Sequence, residues 1–110
     1  MGAKPIKNGR KTLGPLEEAV LWALLGCGGT GHSVVVAAEI RRRIGRTIQA
    51  GPAAVTLRRL QTRELVTSTY GDWGRGGNKR IFKLTQRGRK ALRKACQDHH
   101  AMWAGLEDGV

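Results

Sequence analysis

The chain has 110 residues, enough for one domain with a single modest core. Its apolar fraction of 40% is too high for a fully disordered chain, and two cysteines are too few for a disulfide framework. Twenty Lys and Arg against eight Asp and Glu give a formal charge of +12, which points to a polyanionic partner. The charge is also uneven. Residues 41–94 hold sixteen basic residues and two acids, Glu64 and Asp72, whereas from residue 95 onward there are three acids and no Lys or Arg. That pattern predicts a cationic body that grips a polyanion, followed by a C-terminal part with a different task. The longest apolar run, Ala19 to Leu25, falls far short of the roughly 18 residues of a membrane span. The basic N-terminus lacks an apolar signal core, so the chain is expected in the cytoplasm, associated with the nucleoid and away from membranes.

Residues 1–13 are polar, basic and Gly/Pro-bearing, and read as a flexible arm in which Arg10 and Lys11 can add phosphate contacts. Pro15 suits the first turn of a helix, and Glu17 and Glu18 suit the positive end of its dipole. Leu16, Ala19, Val20, Ala23 and Leu24 recur at the spacing of one buried face. The Gly-rich stretch 26–31 then turns the chain. A second helix is predicted from a Ser33 cap to about Ile44, burying Val36, Ile40 and Ile44. Its end carries Arg41, Arg42 and Arg43, and Gly45 serves as its stop. A third helix, framed by Gly51 and Pro52, buries Ala53, Leu57 and Leu60 and turns Val55, Thr56, Arg59 and Arg63 to solvent. Leu65 to Tyr70 predicts a strand, GDWGRGGN a loop, and Lys79 to Thr85 a returning strand with Phe82 and Leu84 inward. Thr85 caps a last helix over about residues 86–105. The fold class is therefore α+β and mainly helical. A winged helix-turn-helix spans 14–85, and a C-terminal dimerisation helix spans 86–106.

In a helix-turn-helix the second helix of the motif enters the major groove with its N-terminal residues against the base edges. Thr47, Gln49, Thr56, Arg59 and Arg63 suit that readout, because Arg pairs bidentately with guanine and Gln with adenine. Arg75, Asn78, Lys79 and Arg80 sit in or beside the Gly-rich hairpin loop and are expected to hold the DNA backbone or a minor groove. Trp73 in the same loop is expected to pack across the hairpin base. On the last helix Leu92, Ala95, His99, Met102 and Leu106 recur at spacings of three and four, with Trp103 alongside. That seam predicts a homodimer, the helix packing on the partner's first helix. Two reading helices would then stand about one turn of double-stranded DNA apart, roughly 34–36 Å.

Enzyme chemistry finds no support: there is no Ser/His/Asp set and no facing carboxylate pair. Gly26, Gly28 and Gly31 spell GxGxxG, but a helix precedes them and Arg46 stands where a dinucleotide site wants an acid. Cys27, Cys96, His32, His99 and His100 lack the spacing of metal ligands, so neither metal nor cofactor is expected. Charge alone also allows an RNA-binding or ribosome-associated protein, or a sequence-blind nucleoid protein. The seam on the last helix argues against the RNA reading.

LGPLEEAVLWALL, GHSVVVAAEIRRRIGRTIQAGPAAVTLRRLQTRELV and GGNKRIFKLTQRGRKAL resemble successive parts of the PadR family of winged-helix transcriptional regulators. They are similar to its first helix, its second and third helices, and its wing strand with the start of the last helix. The resemblance covers about residues 13–96, TLRRLQTRELV being the most specific block, and is to short members with one C-terminal helix. It implies a homodimeric repressor of a nearby operon, released in some members by a small aromatic effector near the dimer interface, where Trp103 and Trp22 would line the site. The chain departs from the pattern at Ala54, where the family usually carries Tyr, and at Gln61, often an acid.

Overall fold

The computed structural model describes residues 12–72 and 78–110, with the backbone alone at Asn78. Its elements are α1 (Pro15–Gly26), β1 (Thr30–Gly31), α2 (Ser33–Ile44), α3 (Ala50–Thr62), β2 (Val66–Asp72), β3 (Asn78–Leu84) and α4 (Gln86–Trp103), followed by a 3-10 turn at Glu107–Gly109. This is the expected mainly helical α+β winged helix with a long C-terminal helix. The expected basic arm, including Arg10 and Lys11, lies outside the described residues. Among the described residues no helix is long and apolar enough to cross a membrane.

At the start of α1, α2 and α4 a side chain accepts from a backbone amide. At α1, Glu17 Oε1 accepts from the Gly14 N–H at 2.9 Å, and Pro15 occupies a position where its missing N–H costs nothing. The cap of α2 is His32 rather than Ser33: His32 Nδ1 accepts from the Val34 N–H at 3.3 Å. At α4, Thr85 Oγ1 accepts from the Gly88 N–H at 3.0 Å and donates to the Glu64 carbonyl at 2.9 Å. Gly45 ends α2 in the left-handed conformation, at φ 72°, as its position suggested.

One stripe from each helix meets the inner face of the sheet. Val20, Leu21 and Leu24 of α1, Val36 and Ile40 of α2, and Leu57 and Leu60 of α3 close over Phe82 and Leu84 of β3. Two expectations about burial change. Leu21 is fully buried while Leu16 is exposed, because α1 is packed by helices on more than one side and its first turn overhangs the core. Ile44 is also exposed, since the last turn of α2 runs past the core.

The Gly-rich stretch after α1 does more than turn. Thr30 and Gly31 pair antiparallel with Lys83 and Phe82, and the Gly29 carbonyl accepts from the Leu84 N–H at 2.8 Å. The sheet therefore has the order β1-β3-β2. A two-residue strand is too short to announce itself by alternation. The hairpin pairs from Val66 and Leu84 outward to Asp72 and Asn78, so both strands run further than expected. Trp73, expected to pack across the hairpin base, and Arg75 lie outside the described residues. At the other end, a Cβ on Gly88 would overlap the Leu65 carbonyl oxygen, so only glycine lets α4 leave the sheet this closely.

Burial lowers the His32 pKa, and the nearby Lys79 charge lowers it further. The cap needs the same neutral ring, because a protonated Nδ1 cannot accept a hydrogen bond. The folded chain thus binds fewer protons here than the unfolded one. Its stability is complete above the ordinary histidine value of 6.5 and falls as pH drops below that value. His32→Asn, which retains an acceptor at the cap, is expected to flatten the loss of stability between about pH 7 and pH 5. Urea midpoints measured across that range check it.

Candidate nucleic-acid interface

On α3 a rotation of about 100° per residue gathers Gly51, Val55, Arg58, Arg59 and Thr62 on one outward face, and all five are exposed. Neither Arg58 nor Arg59 forms an ion pair with another described residue. Arg59 is where the sequence put it. Arg58 was missed, although its offset of three from Val55 and four from Thr62 places it on the same face.

Two side chains expected on that face are elsewhere. Thr56 is only 3% exposed, and its hydroxyl donates to the Pro52 carbonyl at 2.9 Å, inside the flank where α3 meets the body. Arg63 lies just past the end of α3. Its guanidinium bonds Glu17 Oε1 at 2.8 Å and the Thr12 carbonyl at 3.1 Å, tying the end of α3 to the start of α1.

The approach to α3 is more open. Thr47 and Gln49 are exposed and line a cleft of about 510 Å³ with Arg41 and Arg42. Gln49 is the residue before α3, and its side chain makes no capping hydrogen bond. Glu39 sorts the arginines at the end of α2. It receives Arg42 at 2.8 Å and Arg43 at 2.6 Å, and these hydrogen bonds hold its carboxyl at a pKa of about 2. Arg41 and Arg46 are exposed and take part in no such pair. The sequence offered them only as helix-end charges.

In the wing, Lys79 and Arg80 point to opposite faces of β3, as successive residues of a strand must. Arg80 is half-buried and turned towards α3. Its Nε donates to Ser68 Oγ at 3.1 Å, and its guanidinium carbon lies 5.6 Å from the Tyr70 ring centre. That arrangement departs from a free phosphate-gripping side chain. Of Asn78 only the backbone, paired with Asp72, is described.

The seam on α4 divides. Leu92 is 2% exposed and belongs to this chain's own core, a correction to its place in a dimer seam, because the close exit at Gly88 brings α4 back onto the body. Ala95 and His99 likewise face α1, lining one groove with Leu13 and Glu18, and His99 Nε2 stands 3.0 Å from Glu18 Oε2. The same carboxylate receives the Trp22 indole N–H at 3.3 Å. Met102, Trp103 and Leu106 remain exposed, Leu106 lying beyond the end of the helix. Among the described residues no group of His, Cys, Asp or Glu stands close enough to hold a metal.

Residues 23–94, from α1 to the middle of α4, match the model of the transcriptional regulator PadR-like family. The chain belongs to that family. It is thus a DNA-binding transcriptional regulator, in a family of regulators and not of enzymes. No curated protein matches it in sequence. Among solved structures, a PadR family transcription regulator from Clostridium difficile is 20% identical, with 86% of this chain and 93% of that chain covered at a TM-score of 0.67. A winged-helix DNA-binding protein from STIV is 16% identical over 80% of this chain and 90% of its own, at 0.66. Bacillus subtilis PadR, in complex with operator DNA, is 18% identical over 74% of this chain and 46% of its own, at 0.64. At such identities these likenesses establish the winged-helix fold alone.

For this PadR-like regulator, Thr56→Val should cost about 1 kcal/mol of stability by removing the buried hydroxyl's bond to the Pro52 carbonyl, while DNA affinity stays unchanged. Arg58→Ala should do the reverse, lowering DNA affinity by about 1–3 kcal/mol without moving the denaturation midpoint. Urea melts and fluorescence anisotropy on labelled duplex separate the two.

Proposed function

We propose that the protein is a homodimeric repressor that reads a palindromic operator and is released by a small aromatic effector. The observation that carries the DNA half of this reading is the outward face of α3. Arg58 and Arg59 are free of acid partners there and flank Val55, which suits a thymine methyl. Thr47 and Gln49 extend base readout at the N-terminal approach to α3. Lys79 holds the wing to the phosphate backbone, with Arg75 and Asn78 nearer its tip, and Arg41 and Arg46 add phosphate contacts beside the turn. Acting on chromosomal DNA, the protein works in the cytoplasm at the nucleoid.

The dimer half rests on Met102, Trp103 and Leu106, apolar groups left exposed where the basic charge of the body has ended. Packed on α1 of a second copy, they would bury surface that water otherwise meets. An open groove of about 800 Å³ between α1 and α2, lined by Trp22, Leu25, Ile40, Arg43 and Ile44, supports a small aromatic effector.

Selection of bound fragments from random duplex DNA at about 150 mM salt, with RNA competitor, is expected to return one palindromic motif. Recovery of no motif, with RNA competing equally, would sink the repressor reading. On the selected duplex, Arg59→Ala should cost about 1–3 kcal/mol at one base position, whereas Lys79→Ala should weaken all sequences alike. The double substitution Met102→Glu with Trp103→Glu should turn a dimer into a monomer in sedimentation equilibrium, because two buried charges outweigh a small apolar contact. An unchanged dimer would move the interface elsewhere.

A further inference from the structure

The hairpin meets the helices through one row of side chains. Val66, Ser68 and Tyr70 of β2 stand opposite Leu84, Phe82 and Arg80 of β3. Val66, Phe82 and Leu84 are buried, so the row emerges from the core at Ser68, Tyr70 and Arg80, in the crease between wing and α3. Ser68 Oγ is the hub there. It accepts from Arg80 Nε at 3.1 Å and donates to Gln61 Oε1 at 2.7 Å. The Arg80 guanidinium carbon also lies 5.6 Å from the Tyr70 ring centre and 5.9 Å from that of Phe82, within cation–π reach of both. Gln61 belongs to α3 and Arg80 to the strand that carries the wing tip. The relay therefore joins the two halves of the DNA interface.

We propose that Arg80 is a positioning residue: through Ser68 and Gln61 it sets the angle of the wing against α3, and its charge does not neutralise a phosphate. The inference rests on the reading of α3 and the hairpin as the DNA interface. A guanidinium bonded at Nε and held over two rings has already lost its rotamer freedom, and reaching outward would break both arrangements. The wing needs such an anchor. Four residues separate Phe82 from Asn78, about 13 Å at roughly 3.3 Å per residue, so a tilt of about 10° at the crease moves the outer end by about 2 Å. That displacement exceeds the tolerance of a direct hydrogen bond.

Two substitutions of Arg80 separate position from charge. Arg80→Gln places an amide nitrogen where Nε stood, keeping a donor to Ser68 while removing the charge. Arg80→Lys keeps the charge and puts a methylene at that point. Affinity is read by fluorescence anisotropy through a salt series, on the duplex selected by the wild type and on a random-sequence duplex, with thermal melts alongside. Arg80→Gln is expected to bind within about threefold of wild type with the same salt slope. Arg80→Lys and Ser68→Ala should each reduce the preference for the selected duplex about tenfold while melting like wild type, and combining them should add nothing further. A salt slope shallower by about 0.9 in Arg80→Gln, with Arg80→Lys intact, would overturn the proposal, because that is the signature of one lost phosphate contact. The slopes are readable on any bound duplex. A wild type that selects no motif would therefore end the operator reading while the slopes still decide this one.

Discussion

Phe82 stands where sheet, helices and wing meet, and its placement governs the rest of the interface. Its ring is buried, while its backbone row faces Gly31 on one side and Ser68 on the other. Burying such a side chain stabilises the fold by about 1.5–3 kcal/mol, and the same burial sets the register. A slip by one residue would turn Ile81 and Lys83 inward and Phe82 to water. With the register pinned, alternation alone sends Arg80 into the crease beside α3 and Lys79 to the opposite face. The wing is thus an extension of the core, aimed by an aromatic side chain that never touches DNA.

The fold also sorts a charge that composition presents as a single number. Glu39 occupies Arg42 and Arg43, Glu17 occupies Arg63, and Glu64 occupies Arg87. An exposed pair such as Arg87–Glu64 adds little stability, typically about 0–1 kcal/mol. The larger effect of these pairs is to decide which guanidinium groups remain available. Among the described residues Arg41, Arg46, Arg58 and Arg59, at the end of α2 and on the outward face of α3, form no ion pair. The long-range field of the net positive charge attracts a polyanion such as DNA to the molecule.

Along α4 two structural roles follow one another. Up to His99 the helix belongs to its own domain: Leu92 fills the core, and His99 meets the Glu18 carboxylate that also holds Trp22. Beyond it, Met102 and Leu106 are largely exposed, and Trp103, edge-on to His100, is half exposed. The change coincides with the end of the basic sequence, after Lys94.

What the sequence by itself determined was everything carried by local periodicity and turn chemistry. The order of the four helices and the two hairpin strands, the buried stripes Val36–Ile40 and Leu57–Leu60, the stop at Gly45, the cap at Thr85 and the inward pair Phe82 and Leu84 all follow from neighbours within a few residues. Arg59 on the outward face of α3 follows in the same way, and Arg58 would have followed from the same wheel. The tertiary structure decided whatever depends on a partner distant in the chain. Thr56 turns inward because the body lies against that flank of α3, and Arg63 is claimed by Glu17, 46 residues away. Arg80 is claimed by Ser68 across the hairpin, and Leu92 by a core that Gly88 allows it to reach. Even β1 exists only because β3 offers it an edge. Periodicity reports which side of an element is apolar, but the pairing of polar groups is settled by what the folded chain brings within hydrogen-bond distance.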